Sequence, residues 1–405
     1  MTLCAAENET SAGPEAAGRP SAPAFTIAAD GSYAARLALA DAAGGSGGDG
    51  ADGTGEGAWF VERWTLDGPE PYAVPLPLDQ PEEPDSEVLP LADGRVLVRR
   101  RVADRHTVSL LYPTGPGTGE LLLGTVARAE LRLLPPVPDG TCAYALSADA
   151  HSTSVWRVAG GTPGPEQVAR VPGRCSGGVW LDRAGRMLAL DRAMPGGGPV
   201  KAVAVDLERG GEVSPLLQIA PESNDRLLLA DPGSGLLLIR SDAPGHERLG
   251  WGVLGSCLPV RFPECLRLPD AAVTPFAVQP GQMLTPESCA VALRVEGASG
   301  SWIGVWRPAG RRLHPFAAPG GWQSGRGVWT RDGLLRLPYA DGDTSCGVAL
   351  LRAPEDDGPD APPGPGACGG GAAVGAGALP AAVPLPVCRP VPLGQAPLTG
   401  RVLPG

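Results

Sequence analysis

Histidine is the side chain most often recruited for acid–base chemistry and metal ligation near neutral pH, and this sequence carries only four. His106, His151 and His246 all stand in polar stretches between two apolar runs. His106 and His151 are 45 residues apart, with Asp104, Arg105 and Asp149 beside them. Carboxylates next to imidazoles could shuttle a proton, hold a cation or grip a charged partner. Trp322, in Gly320-Gly321-Trp322-Gln323, is the best-placed exposed aromatic anchor. These seven residues, Asp104, Arg105, His106, Asp149, His151, His246 and Trp322, form the candidate binding set. No catalytic residue, metal-ligand set or cofactor site is assigned.

Several motifs match by letter and fail by context. Gly44-Gly45-Ser46-Gly47-Gly48 fits a nucleophile elbow, and Gly45 to Gly50 fits a dinucleotide fingerprint. Both need a strand before and a helix after, whereas here both lie in one glycine-rich loop. Lys201, the only lysine, lacks the glycines of a phosphate-binding loop. Asp341-Gly342-Asp343-Thr344-Ser345 spaces oxygens like a calcium loop but lacks the later acidic ligand, so it reads as a solvated turn.

Nine cysteines are an odd number, and no C-x-x-C pair occurs. The nearest neighbours, Cys257 with Cys265 and Cys368 with Cys388, have neither zinc nor redox spacing. Free thiols packed as small apolar groups are the expectation. No signal-peptide core follows Met1 and no apolar stretch reaches membrane-spanning length, so a cytoplasmic protein that avoids membranes is expected. The net charge of −11 argues against a nucleic-acid partner. Arg99-Arg100-Arg101 and Arg105 follow Glu82, Glu83, Asp85 and Glu87, which reads as a solvated surface of mutual neutralisation.

The elements that must position these residues are short. The chain of 405 residues holds 59 glycines and 46 prolines, which break helix interiors and leave strands and turns. Asp30-Gly31, Asp93-Gly94, Asp139-Gly140 and Asp332-Gly333 each precede an alternating apolar run, and looser versions occur at 182–185, 231–235 and 286–288. The step between these anchors averages about 50 residues, the length of a propeller blade. After each anchor come a run such as RVLVRRR or RMLALDR, a polar loop, then a run such as TSVWRVAGG or SWIGVWRPAG. A proline-tolerant run follows, as in PYAVPLPL or EVSPLLQIA, suited to an outermost strand. The expectation is an all-β, seven-bladed β-propeller of four-stranded antiparallel blades over residues 23–352. Residues 1–22 read as an arm, 44–57 as a Gly-rich insert and 353–380 as a low-complexity excursion. Residues 381–398, built on Ala381–Leu393, read as the outer strand of the last blade. The tryptophans read as wedges between blades.

The third runs carry a family resemblance. Val155-Trp156-Arg157, Val305-Trp306-Arg307 and Val205-Asp206-Leu207, each just before a turn, resemble the third-strand end of WD-repeat propellers. Divergent bacterial propellers and the propeller half of prolyl-oligopeptidase-type proteins are similar to the same degree. The resemblance implies a scaffold, an enzyme or a gate. The favoured expectation is a monomeric, non-catalytic scaffold binding a protein partner through a loop face or channel mouth. The alternatives are a lyase or hydrolase at the channel mouth, or a gating propeller for a separate serine hydrolase.

Overall fold

The computed structural model describes residues 25–40, 57–161, 163–281, 283–298, 300–323 and 325–354. The arm, the excursion and the expected last outer strand fall outside the described residues, as does the insert except for Gly57.

Strand formation follows the alternating runs. The first sheet holds β1 (Thr26–Ile27), β2 (Tyr33–Leu39), β3 (Trp59–Thr65) and β4 (Tyr72–Leu76). The second holds β5 (Glu87–Pro90), β6 (Val96–Val102), β7 (Arg105–Pro113) and β8 (Thr118–Val126). The third holds β9 (Arg132–Leu133), β10 (Ala143–Ala148), β11 (Ser152–Ala159) and β12 (Glu166–Pro172). The fourth runs through β13 (Arg174–Trp180), β14 (Met187–Ala193), β15 (Lys201–Asp206) and β16 (Glu212–Pro215). It continues into β17 (Asp225–Ala230), β18 (Leu236–Ser241) and β19 (Arg248–Val253). The fifth holds β20 (Ala271–Val278), β21 (Val291–Gly297), β22 (Gly300–Trp306) and β23 (His314–Ala317), and the sixth β24 (Val328–Trp329), β25 (Leu334–Tyr339) and β26 (Gly347–Arg352). Neighbours in sequence pair antiparallel, except for one parallel bridge, Lys201 to Asp225, which joins β15 to β17. Among the described residues the only helical elements are two three-residue 3-10 turns, and no helix is long and apolar enough to cross a membrane.

The turn anchors set the hairpins. Gly31, Gly94, Gly140, Gly185, Gly235 and Gly333 all have φ between +68° and +81°, which glycine adopts without a Cβ penalty. Asp30, Asp93 and Asp139 each accept the amide two residues on, closing an Asx turn. Prolines sit in the outermost strands β4, β12, β16 and β23. In LPVRFPECL the outer strand shrinks to one bridge, Trp251 to Arg261.

The core lies between sheets. Leu37 packs with Val96 and Val98, Leu97 with Ala145, Leu146 with Leu190, and Leu238 with Val291. The last sheet returns to the first: Phe25 and Trp64 meet Ala340, Cys346 and Val348. Arg336 donates to the Leu66 carbonyl, and Arg36 donates to Gln323 Oε1 at 2.9 Å. Each sheet thus buries both faces against its neighbours, which no sheet could do alone.

The Arg99–Arg101 run corrects the expected solvated surface in part. Arg100 pairs with Glu82 at 2.7 Å and Glu120 at 2.6 Å, and Arg99 with Glu87 at 3.1 Å. Neutralisation is present and Glu83, Asp85, Arg101 and Arg105 are exposed, but Arg99 on β6 and Glu82 between β4 and β5 are buried.

Candidate binding groove on the loop face

Apart from the parallel β15–β17 bridge, the sheets are antiparallel meanders, so the second-to-third-strand loops and the exits to the next sheet emerge on one face. All seven candidate residues lie at that face, but the structure does not gather them.

Asp104 stands in the two-residue turn Ala103-Asp104 and Arg105 directly follows it, and the two pair at 3.4 Å. His106 departs from the expected loop position: it is the second residue of β7 and is 3% exposed. Its Nε2 is 3.4 Å from the Ala129 carbonyl, and its Nδ1 is 3.5 Å from Arg99 Nη1. Burial first, and then the charges of Arg99 and Arg101, push its pKa down against the Ala129 hydrogen bond. A neutral ring donating from Nε2 and accepting at Nδ1 fits both contacts. His106 is therefore an internal strut between the β6–β7 hairpin and the exit to the third sheet. His151 is exposed in the β10–β11 turn. The β10–β11 turn is met instead by Arg128, from the segment between β8 and β9, which pairs with Asp149 at 3.4 Å.

Trp322 is also a correction, being half-buried and not an exposed anchor. Its Nε1 donates to the Arg326 carbonyl at 2.7 Å, and its ring meets Phe276 edge-on at 5.3 Å. The backbone bridge from Trp322 to Tyr339 draws it onto β25.

His246 is different. It stands exposed on the rim of a groove of about 490 Å³ between the β17–β19 strands and the fifth sheet. The β18–β19 hairpin contributes Arg240, His246, Glu247 and Arg248, and the exit segment contributes Pro263, Leu266, Arg267, Leu268 and Pro269. Leu249, Leu266 and Val273 are its buried apolar lining. Arg240 donates to the Val273 carbonyl at 3.0 Å and pairs with Glu247 at 3.3 Å. Arg248 reaches Glu264 at 2.7 Å and Arg267 reaches it at 3.3 Å. Hydrogen bonds from Arg248 and Arg267 hold the Glu264 carboxyl below its ordinary value. The groove is lined by three guanidinium groups and one carboxylate, Glu247, with Glu264 pairing from beside it, so positive charge is in excess.

Such a groove is in the size range of ligand sites, and buried apolar side chains share its wall with charged groups that can fix orientation. It offers ion pairing and apolar contact. Among the described residues no group of three or more His, Cys, Asp or Glu is arranged to hold a metal ion. Arg240, Arg248, Glu264 and Arg267 escaped sequence reasoning because they lie on two segments that meet only across the sheet boundary. The available signal was the length of the segment from β19 to β20, which carries charges at both ends of a 3-10 turn.

No protein-family model and no curated protein matches this sequence. Solved structures match in fold. The β-propeller domain of the Trilobed protease from Pyrococcus furiosus aligns with a TM-score of 0.51 and 9% identity, over 82% of this chain and 92% of that one. An acylaminoacyl peptidase in complex with Z-Gly-Gly-Phe-chloromethyl ketone aligns at 0.50 and 10%, over 81% and 51%. A prolyl endopeptidase aligns at 0.48 and 13%, over 82% and 46%. This chain thus spans about half the length of the latter two. The likeness is one of fold, as the resemblance to propellers implied: this chain has a β-propeller fold, like that domain of the Trilobed protease.

Proposed function

We propose that this chain is a non-catalytic, seven-bladed propeller scaffold that binds a protein partner through its loop face. The seven-stranded fourth sheet supports the blade count: among the described residues β13–β16 and β17–β19 share strand pairing only at the Lys201–Asp225 bridge, so each half counts as a blade. Residues 23–352 are the propeller in this reading. The observation that carries the function is the groove at the β19–β20 boundary, where an apolar lining lies beneath a rim of Arg240, His246 and Arg267. Aromatic or aliphatic anchors in a lined pocket, with charges at the rim, are how protein partners are held.

The test is affinity capture from a lysate of the source organism at physiological salt. The bait is the wild-type chain or a variant carrying His246→Glu and Arg267→Glu. A partner retained by the wild type and lost by an equally stable variant is the expected result. Equal retention by both, or no retained protein, overturns the reading.

The acylaminoacyl peptidase likeness favours one second reading, a propeller that gates a separate serine hydrolase. A fluorophosphonate probe applied to the captured fraction separates the two. Labelling of the retained partner supports the gate, and an unlabelled partner supports the scaffold.

A further inference from the structure

Among the described residues the last sheet has three strands where its neighbours have four, and its third strand is bare along one edge. In the β25–β26 ladder the Ala353 amide donates to the Gly333 carbonyl at 3.0 Å, in register with Leu334 opposite Arg352. Hydrogen bonding alternates along an antiparallel strand, so the odd-numbered residues of β26 face β25. The N–H and C=O groups of Val348, Leu350 and Arg352 then point the other way. Among the described residues no strand pairs with that edge, and the Leu350 side chain is 45% exposed. The equivalent strands β3, β7, β11, β15 and β22 are each covered by a fourth. A bare row of amides and carbonyls is a template for pairing.

We propose that Ala381–Leu393 of this same chain is the strand that covers it, antiparallel to β26. The reason is the parity of its prolines. In AAVPLPVCRPVPL, Pro384, Pro386, Pro390 and Pro392 all carry even numbers, as does Pro380 just before. Successive residues of a strand send their amides to opposite edges, so prolines of one parity strip donors from one edge alone. The odd positions Val383, Leu385, Val387, Arg389, Val391 and Leu393 keep every amide on the other edge. Such a segment can pair on one side and cannot template a further strand on the other, which is the character of an outermost strand.

Reach and exit agree. Arg307 donates to the Pro354 carbonyl and fixes where the chain leaves β26. Residues 355–380 could extend about 85 Å, several times the ~20 Å length of the edge to be covered. The other end of the chain is a poorer occupant. Pro14, Pro20 and Pro23 are of mixed parity, and no alternating apolar run accompanies them.

The experiment is amide hydrogen exchange by NMR on the 405-residue chain and on a variant ending at Leu379. In the full chain the amides of Val348, Leu350 and Arg352 should exchange on the order of 100-fold more slowly than in the truncated one. Those of Ala349, Leu351 and Ala353, bonded to β25, should stay protected in both. Fast exchange at the three even positions of the full chain overturns the proposal. So does protection that appears only with a dimer mass in light scattering, since a second copy would then supply the strand. Two point variants keep the test decisive if the truncated chain fails to fold. Leu385→Pro removes an inward amide and should lose the protection, whereas Ala382→Pro adds a proline of the tolerated parity and should keep it. Equal behaviour of the two overturns the parity argument.

Discussion

Lys201 places its Nζ 2.7 Å from Oδ2 of Asp225, at the bridge that pairs β15 with β17. The Asp225 carboxylate has no solvent exposure. It also accepts from Ser223 Oγ at 2.8 Å, Ser241 Oγ at 2.6 Å and the Ile219 amide at 3.0 Å. Burial pushes this carboxyl up, but the hydrogen bonds, that of Lys201 foremost, outweigh it and hold the pKa below its ordinary value. A carboxyl depressed in the folded state contributes stability above its unfolded pKa, and that contribution fades as pH falls through the folded one. Lys201→Met leaves a buried, uncompensated charge and should cost about 3 kcal/mol at pH 7. Lys201→Met with Asp225→Asn should regain much of that loss. Urea denaturation of both variants at pH 7 checks this, and equal stability of Lys201→Met and wild type would refute it.

That joint shows what the sequence could and could not disclose. The Asp-Gly turns were legible because positive φ at a hairpin demands glycine, and the third strands because period-two alternation is a local property. Pairing across a sheet boundary is not local. Lys201 could be excluded from a phosphate loop, yet nothing in its neighbours pointed to Asp225, 24 residues on. His106 looked like a loop residue because Asp104 and Arg105 precede it, but the turn closes within two residues and the ring is drawn inward. Pro338 lies inside the middle strand β25. Its missing amide falls on the side of β24, which pairs with β25 only at Val328 and Trp329. Of the groove, only His246 was legible, for its partners come from the next sheet's approach.

Asp206 stands where the third-strand motif carries its aspartate, and it braces its own hairpin. Arg186 donates to it from Nε at 2.9 Å, and the amides of Glu208 and Arg209 donate at 3.1 and 3.3 Å. The Arg186 hydrogen bond is the largest influence and, against some burial, the set lowers the carboxyl to about 2. Its stabilising contribution is therefore present above the ordinary carboxylate range and lost as pH falls towards about 2. A carbon-13 carboxyl titration should find the midpoint there, and Arg186→Gln should move it upward. A wild-type midpoint in the usual aspartate range would rule out the brace.

The thiols should separate by environment. Cys257 is exposed, Cys175 and Cys289 are buried, and Cys346 is half-buried in the seam between the last and first sheets. Burial, helped by the nearby Glu62 charge, pushes the Cys346 thiol up to about 12, where almost no thiolate exists at pH 8. Brief maleimide treatment at pH 8, read by peptide mass mapping, should label Cys257 and spare Cys346. Arg336→Ala removes the guanidinium that ties β25 to the Leu66 carbonyl and should raise Cys346 labelling several-fold. Unchanged labelling would mean that this contact does not hold the ring shut.

Gly321 should be the least replaceable residue beside Trp322. Its φ is +67°, and a Cβ there would lie 1.7 Å from the Ala340 carbonyl oxygen. The strands are tied at this point by the Ala340 amide to the Gly321 carbonyl at 3.0 Å and the Gln323 amide to the Pro338 carbonyl at 3.0 Å. Gly210 supplies the control, with φ +65° and no atom within 4 Å of the place its Cβ would take. Gly210→Ala should cost only the left-handed backbone penalty, about 1 kcal/mol. Gly321→Ala adds a backbone collision that must break the ladder, so its cost should exceed about 3 kcal/mol. It should also free Trp322 from Phe276 and shift tryptophan emission to the red. Equal losses for the two variants in thermal denaturation would show that the Gly321 segment is not held against Ala340.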